Sequence, residues 1–106
     1  MPTVWFTIEH RVIDDEETAI GIWYYAGDEV RLRFRPDYEE LREHYLQDLE
    51  MRRELDIDVD SAKFLGEVAR QSTRGGTQRS LVAHEEGPDV EAIIDRVFRQ
   101  HVERDA

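Results

Sequence analysis

The chain has 106 residues, 40% of them hydrophobic, and 25 acidic against 14 basic residues give a formal net charge of -11. This length and composition suit one folded domain, residues 1–106, better than a disordered chain. The charge excludes general attraction to nucleic acid or anionic membrane unless the bases gather in a patch, and the lack of cysteine excludes disulfides, a thiol nucleophile and thiolate metal sites.

Lys63 is the only lysine, so every other basic side chain is an arginine. Salt adaptation and GC-biased codon use both produce that pattern, and both readings stay open. The longest apolar run, "IGIWYYAG", is far shorter than a membrane span. "MPTVWF" has no basic segment ahead of an apolar one, so no signal peptide is expected and the expected location is cytoplasmic.

In chain order, "TVWFTIEHRV" alternates, with Val4, Phe6, Ile8, His10 and Val12 on one side of a half-buried strand. "IDDEET" is expected to be a solvated loop. "AIGIWYYAGDEVRLRFR" predicts a β-hairpin turning at Gly27-Asp28, with Tyr25 opposite Val30, Trp23 opposite Leu32 and Gly21 opposite Phe34. Pro36 ends that strand. "DYEELREHYLQDLEMRREL" has Leu41, Tyr45 and Leu49 at helical spacing, with Asp37 as N-cap. A second helix is expected from about Asp60, with Phe64, Leu65, Val68 and Ala69 on one side. "QRSLVAH" follows as a fourth strand. "GPDVEAIIDRVFRQHVER" is the clearest helix, with Pro88 in its first turn and an apolar stripe running from Val90 to His101 and Val102. The expected fold is therefore α+β: an antiparallel four-stranded sheet with helices packed on one face, in the order β-β-β-α-α-β-α.

Three segments could carry function. "RQSTRGGTQRS" places Arg70, Arg74 and Arg79 in a stretch without acids, an anion-binding candidate. Phosphate cradles, however, run from a glycine loop into a helix N-terminus, and here the helix comes first. Its arginines would then sit at a helix C-terminus, where cations stabilise structure without a ligand.

"DIDVDSAKFLGE" puts Asp56, Asp58, Asp60 and Glu67 at the first, third, fifth and twelfth positions of a calcium loop. Ser61 stands where the sharp turn needs glycine, and alternating aspartates also serve as helix caps, so no metal or cofactor is expected. The four histidines show no metal-ligand spacing, and no nucleophile or phosphate-loop motif occurs. An enzyme is the less favoured reading.

The third candidate is a sheet face. The hairpin pattern puts Ile20, Ile22 and Tyr24 beside Arg31, Arg33 and Arg35, and Trp5 and Arg11 are expected to point the same way. Tyr, Trp and Arg are enriched at protein interfaces, so this face is expected to be covered by a protein partner or a second copy. The alternative is a small enzyme or sensor that holds a phosphorylated or nucleic-acid ligand through Arg31, Arg33, Arg35 and Arg74.

The segments "ETAIGIWYY", "VRLRFRPD" and "QRSLVAHEEGPDVEAIIDRVFRQHV" together resemble a family of short bacterial domains encoded beside HipA-like kinases. The chain has Ala19-Ile20-Gly21 where that family commonly has Asn-Val-Gly. The resemblance implies no catalytic residue, and an accessory role exerted through a partner.

Overall fold

Residues 1–71 and 77–103 are described by a computed structural model. Strands β1 (Thr3–Ile13), β2 (Glu16–Tyr25) and β3 (Val30–Phe34) come first, followed by a 3₁₀ turn over Pro36–Tyr38. Helices α1 (Glu39–Glu54) and α2 (Ala62–Arg70), strands β4 (Thr77–Arg79) and β5 (Ala83–Glu86), and helix α3 (Val90–His101) complete the order. The fold is α+β, with an antiparallel sheet in the order β3-β2-β1, and β4 and β5 both paired with the remaining edge of β1.

The sheet has five strands because the expected strand "QRSLVAH" is interrupted. At the break, Ser80 N–H donates to Ile8 O at 2.9 Å, and its hydroxyl accepts from Ile8 N–H at 2.9 Å. Thr7 Oγ1 donates to Ser80 O at 2.6 Å. A side chain thus takes one backbone role, and the chain can bend there without leaving a buried donor unpaired. The segment expected as a loop, "IDDEET", is instead a tight hairpin. Asp14 and Asp15 form its turn with φ of 52° and 67°, the left-handed pair that matches the twist of the flanking strands and that aspartate tolerates.

The second hairpin pairs as its sequence predicts: Tyr25 with Val30, Trp23 with Leu32 and Gly21 with Phe34. The Phe34 ring lies directly over Gly21, where a Cβ would come within 2.2 Å of it. Helix α2 starts at Ser61, whose hydroxyl accepts from Phe64 N–H, and α3 starts at Asp89, whose carboxylate accepts from Ala92 N–H. Asp37 makes no cap for α1; the 3₁₀ turn leads into the helix and the Asp37 carboxylate pairs with Arg35.

The expectation of helices on one face needs correction: helices cover both. In β1, Val4, Phe6 and Ile8 pack with Ile22 of β2 under α3, whose Ile93, Ile94, Val97 and Phe98 complete that core. On the opposite face Trp23, Val30, Leu32 and Phe34 pack with Leu49 of α1 and with Phe64, Leu65 and Val68 of α2. The physical reason is a β-bulge. Glu9 pairs with Gly21 and His10 with Ala19, leaving Ile20 unopposed, so the alternation of β2 changes phase there. Ile20 turns toward α1 and α2, Ile22 toward α3, and both are fully buried. A sheet apolar on both faces needs a cover on each.

The outer edge of β3 is sealed by side chains. Val30 N–H donates to Asp60 Oδ1 at 2.9 Å, Val30 O accepts from Arg53 Nη2 at 3.2 Å, and Leu32 O accepts from Arg42 Nε at 3.0 Å. These contacts occupy three backbone groups at the start of the edge and so blunt it against another strand. No helix among the described residues is long and apolar enough to cross a membrane.

Candidate functional site

Strand β1 is longer than the helix that covers it. After Val4, Phe6 and Ile8, the same alternation brings His10 and Val12 to the α3 face, and α3 ends at His101. The uncovered end of the sheet becomes the floor of a cleft of about 1140 Å³. Ile8 and His10 line it from β1, Glu16 to Ala19 from β2, Arg35 to Asp37 from the segment after β3, and His101 to Glu103 from the end of α3.

Charge dominates this cleft. Among the described residues, Glu16, Glu17, Asp37 and Glu103 face a single fixed cation, Arg35. With the histidines neutral, four negative charges and one positive leave a net of -3. Arg35 is itself occupied, donating from Nε and Nη2 to the two Asp37 oxygens at 3.2 Å each. The C-terminal end of α3 adds the negative end of its dipole. Ile8, Ala19 and Val102 supply apolar surface between the charges. Glu17 lies 3.8 Å from His10 Nδ1, a distance that is electrostatic and too long for the hydrogen bond that orients a general base. The arrangement attracts a cation flanked by apolar groups.

Behind the sheet, on the α1 and α2 face, lies a buried ion pair. Glu9 is 0% exposed and the Arg79 side chain 3%, with Arg79 Nε donating to Glu9 Oε1 at 2.9 Å. Trp23 Nε1–H donates to the same oxygen at 3.1 Å, and Tyr45 O–H donates to Glu9 Oε2 at 2.8 Å. Arg79 Nη1 also reaches the carbonyls of Val68 at 3.2 Å and Gln71 at 3.3 Å. Its guanidinium lies over the Trp23 and Tyr45 rings, 5.2 and 5.7 Å from their centroids. Burial and the neighbouring Glu9 carboxylate push the Tyr45 hydroxyl above its usual pKa, which keeps it a donor. The network satisfies the carboxylate and holds β1, β2, β4 and α1 together.

The predicted site residues scatter. Ile20 and Ile22 are in the cores and cannot form an open face. Tyr24 is half-buried against the α3 core, with its hydroxyl pushed upward chiefly by burial. Trp5 is partly exposed and stacks on His84 at 4.7 Å, on the face opposite Phe6. Arg11 also lies on that opposite face.

Arg31 pairs with Asp28 and Glu29, and Arg35 with Asp37. Arg33 pairs with Asp95 and sits 4.6 Å over the Phe98 ring. The three arginines are therefore engaged separately rather than gathered. In the anion candidate, Arg70 is exposed on α2 and Arg74 lies outside the described residues. Arg79 is the buried partner of Glu9, so it is closed to a ligand.

The calcium candidate is not assembled either. Asp60 is held by Arg53, its Oδ1 2.7 Å from Nη2, and caps Val30 N–H. Asp58 accepts from Asp60 N–H at 3.2 Å. No group of three or more histidine or acidic side chains among the described residues could hold a metal.

Sequence reasoning missed that His10 and His101 line one cleft. Each falls near the end of an apolar stripe that continues to Val12 or Val102, where a histidine reads as a core residue, so the sequence carries no signal for it. It also missed Glu9, which periodicity alone places on a polar face. Comparison with known protein families, with curated proteins and with solved structures finds no match to this chain.

Proposed function

We propose that this chain is a non-enzymatic interaction module that takes a basic segment of a partner protein into the cleft at the end of α3. The observation that carries this reading is the lining: four carboxylates against one already paired arginine, around an apolar floor. A lysine or arginine of the partner finds unpaired carboxylates there, and its apolar neighbours find Ile8, Ala19 and Val102. The overall charge of -11 steers such a partner toward the molecule and repels anionic ones. An accessory role exerted through a partner also accords with the family that the sequence resembles. The partner here is another protein, and the same cleft could receive a basic segment of a second copy.

The test is binding of the protein to an array of immobilised short peptides, with Glu17→Lys/Glu103→Lys as the charge-reversed control. Peptides mixing lysine or arginine with apolar residues should be selected, and the double variant should lose them while keeping its fold by circular dichroism. Selection of neutral or acidic peptides, or unchanged binding by the double variant, would contradict the reading. Light scattering at rising concentration and salt separates self-association from binding to a different protein.

A further inference from the structure

Across the sheet from the cleft, β1 and β4 leave two buried polar atoms without partners. Arg11 Nε and Thr77 Oγ1 are both buried, and neither has a hydrogen-bond partner among the described residues. Buried polar side chains are almost always satisfied, so an orphan needs an explanation. The two are direct cross-strand partners, which puts their side chains on the same face with Cβ atoms about 5 Å apart. Thr77 is only 2% exposed.

Arg11 also lacks an ion-pair partner, a condition it shares with Lys63, Arg70 and Arg99, but it alone of these has a buried side-chain nitrogen with no hydrogen bond among the described residues. In a protein with 25 acidic residues, no carboxylate lies within ion-pair distance of it among the described residues. The residues at 72–76, which precede Thr77, include no acid in their sequence. The nearest buried carboxylate on this face, Glu9, is already taken by Trp23, Tyr45 and Arg79. Arg11 is two residues from Glu9 on the same face of β1, and Glu9 is already paired with Arg79 of β4, so this stretch of the two strands carries two guanidinium groups and one carboxylate. The local excess is positive, inside a strongly negative molecule.

We infer that Arg11 and Thr77 form a binding site for a small oxyanion, one oxygen accepting from Arg11 Nε–H and another from the Thr77 hydroxyl. Guanidinium N–H groups form a fork that suits two oxygens of phosphate, sulfate or carboxylate. The Thr77 hydroxyl beside it supplies the other bond. The site is independent of the cleft, since Arg11 and His10 point to opposite faces of β1.

The experiment is thermal unfolding of the full chain in phosphate, sulfate and acetate, each against sodium chloride of equal ionic strength. Phosphate and sulfate distinguish a tetrahedral ligand from the planar carboxylate of acetate. The wild type should show a saturable rise in melting temperature with at least one oxyanion beyond the chloride control. Thr77→Val, which keeps the shape and removes the hydroxyl, and Arg11→Lys, which keeps the charge and removes the fork, should each weaken the apparent affinity about tenfold, the effect of losing one charge-assisted hydrogen bond. No oxyanion-specific rise in the wild type would overturn the inference. So would a rise that survives unchanged in both variants, or a Thr77→Val variant that gains the same stability in chloride and in oxyanion, since the hydroxyl would then be merely an unpaired group.

Discussion

The two faces of the sheet are held by different physics. Under α3 the contact is aliphatic and aromatic throughout: Val4, Phe6, Ile8 and Ile22 against Ile93, Ile94, Val97 and Phe98. Under α1 and α2 an apolar cluster of similar kind surrounds a layer of polar side chains. The buried polar residues Thr7, Glu9 and Thr77 all lie on that second face, with Arg79 closing the pair with Glu9. Apolar burial is non-directional and tolerates volume-conserving changes. A buried ion pair contributes little net stability, because desolvation opposes attraction, but it is costly to break. The α3 face is thus a source of stability, and the other face fixes which groups of β1, β2, β4 and α1 must meet.

The largest effect should come from breaking the polar face on one side only. Glu9→Ala leaves the Arg79 guanidinium buried without its carboxylate and should cost about 3–5 kcal/mol in urea unfolding. Glu9→Leu combined with Arg79→Met should be more stable than either single replacement, because no charge is then left buried. If the double replacement is as damaging as the sum of the singles, the pair is supplying net stability and the contrast between faces fails.

On the apolar face the response should be smaller and graded by volume. Ile93→Val, which deletes one methylene from a fully buried side chain, should cost about 0.5–1.5 kcal/mol. A loss as large as that of Glu9→Ala would show that α3 packs far less adaptably than an aliphatic layer should.

The smallest effect concerns acid. The hydrogen bonds from Arg53, then that from Val30 N–H, hold the Asp60 carboxyl below its ordinary value of 3.8. A carboxyl depressed in the folded state contributes its stability above its unfolded pKa and loses it as the pH falls below 3.8 toward the folded value. Asp60→Asn should therefore flatten the acid limb of the stability curve just below that pH and leave its shape near neutrality unchanged. Chemical unfolding across the acid range checks this, and identical acid limbs in the two proteins would contradict it.

Much of the fold was legible because local rules agree with the tertiary result. The second hairpin's pairs follow from alternation about Gly27-Asp28, although its strands stop at Tyr25 and Val30. The start of α3 was legible only to within two residues, since Pro88, expected in its first turn, instead precedes the N-cap Asp89; the stripe of β1 follows from its period of two. The two-sided cover was not legible, because it depends on the unopposed Ile20, and a bulge leaves no signature in composition. Nor could the sequence say which of its many arginines goes inside. Arg79 does so because β4 sets it opposite Glu9, a long-range pairing that no local pattern encodes. The cleft was hidden for a related reason: it is made where β1, the β1–β2 hairpin, the 3₁₀ turn and α3 all run out.

The central claim, that the acidic end of the α3 face receives a basic segment, is tested most directly by following backbone amide signals in ¹⁵N-labelled protein during titration with a peptide of alternating lysine and leucine. Saturable changes confined to His10–Val12, Glu16–Ala19 and His101–Glu103, weakening as salt is added, are the expected result. Changes centred elsewhere, changes spread evenly over the acidic surface, or none at all would contradict it.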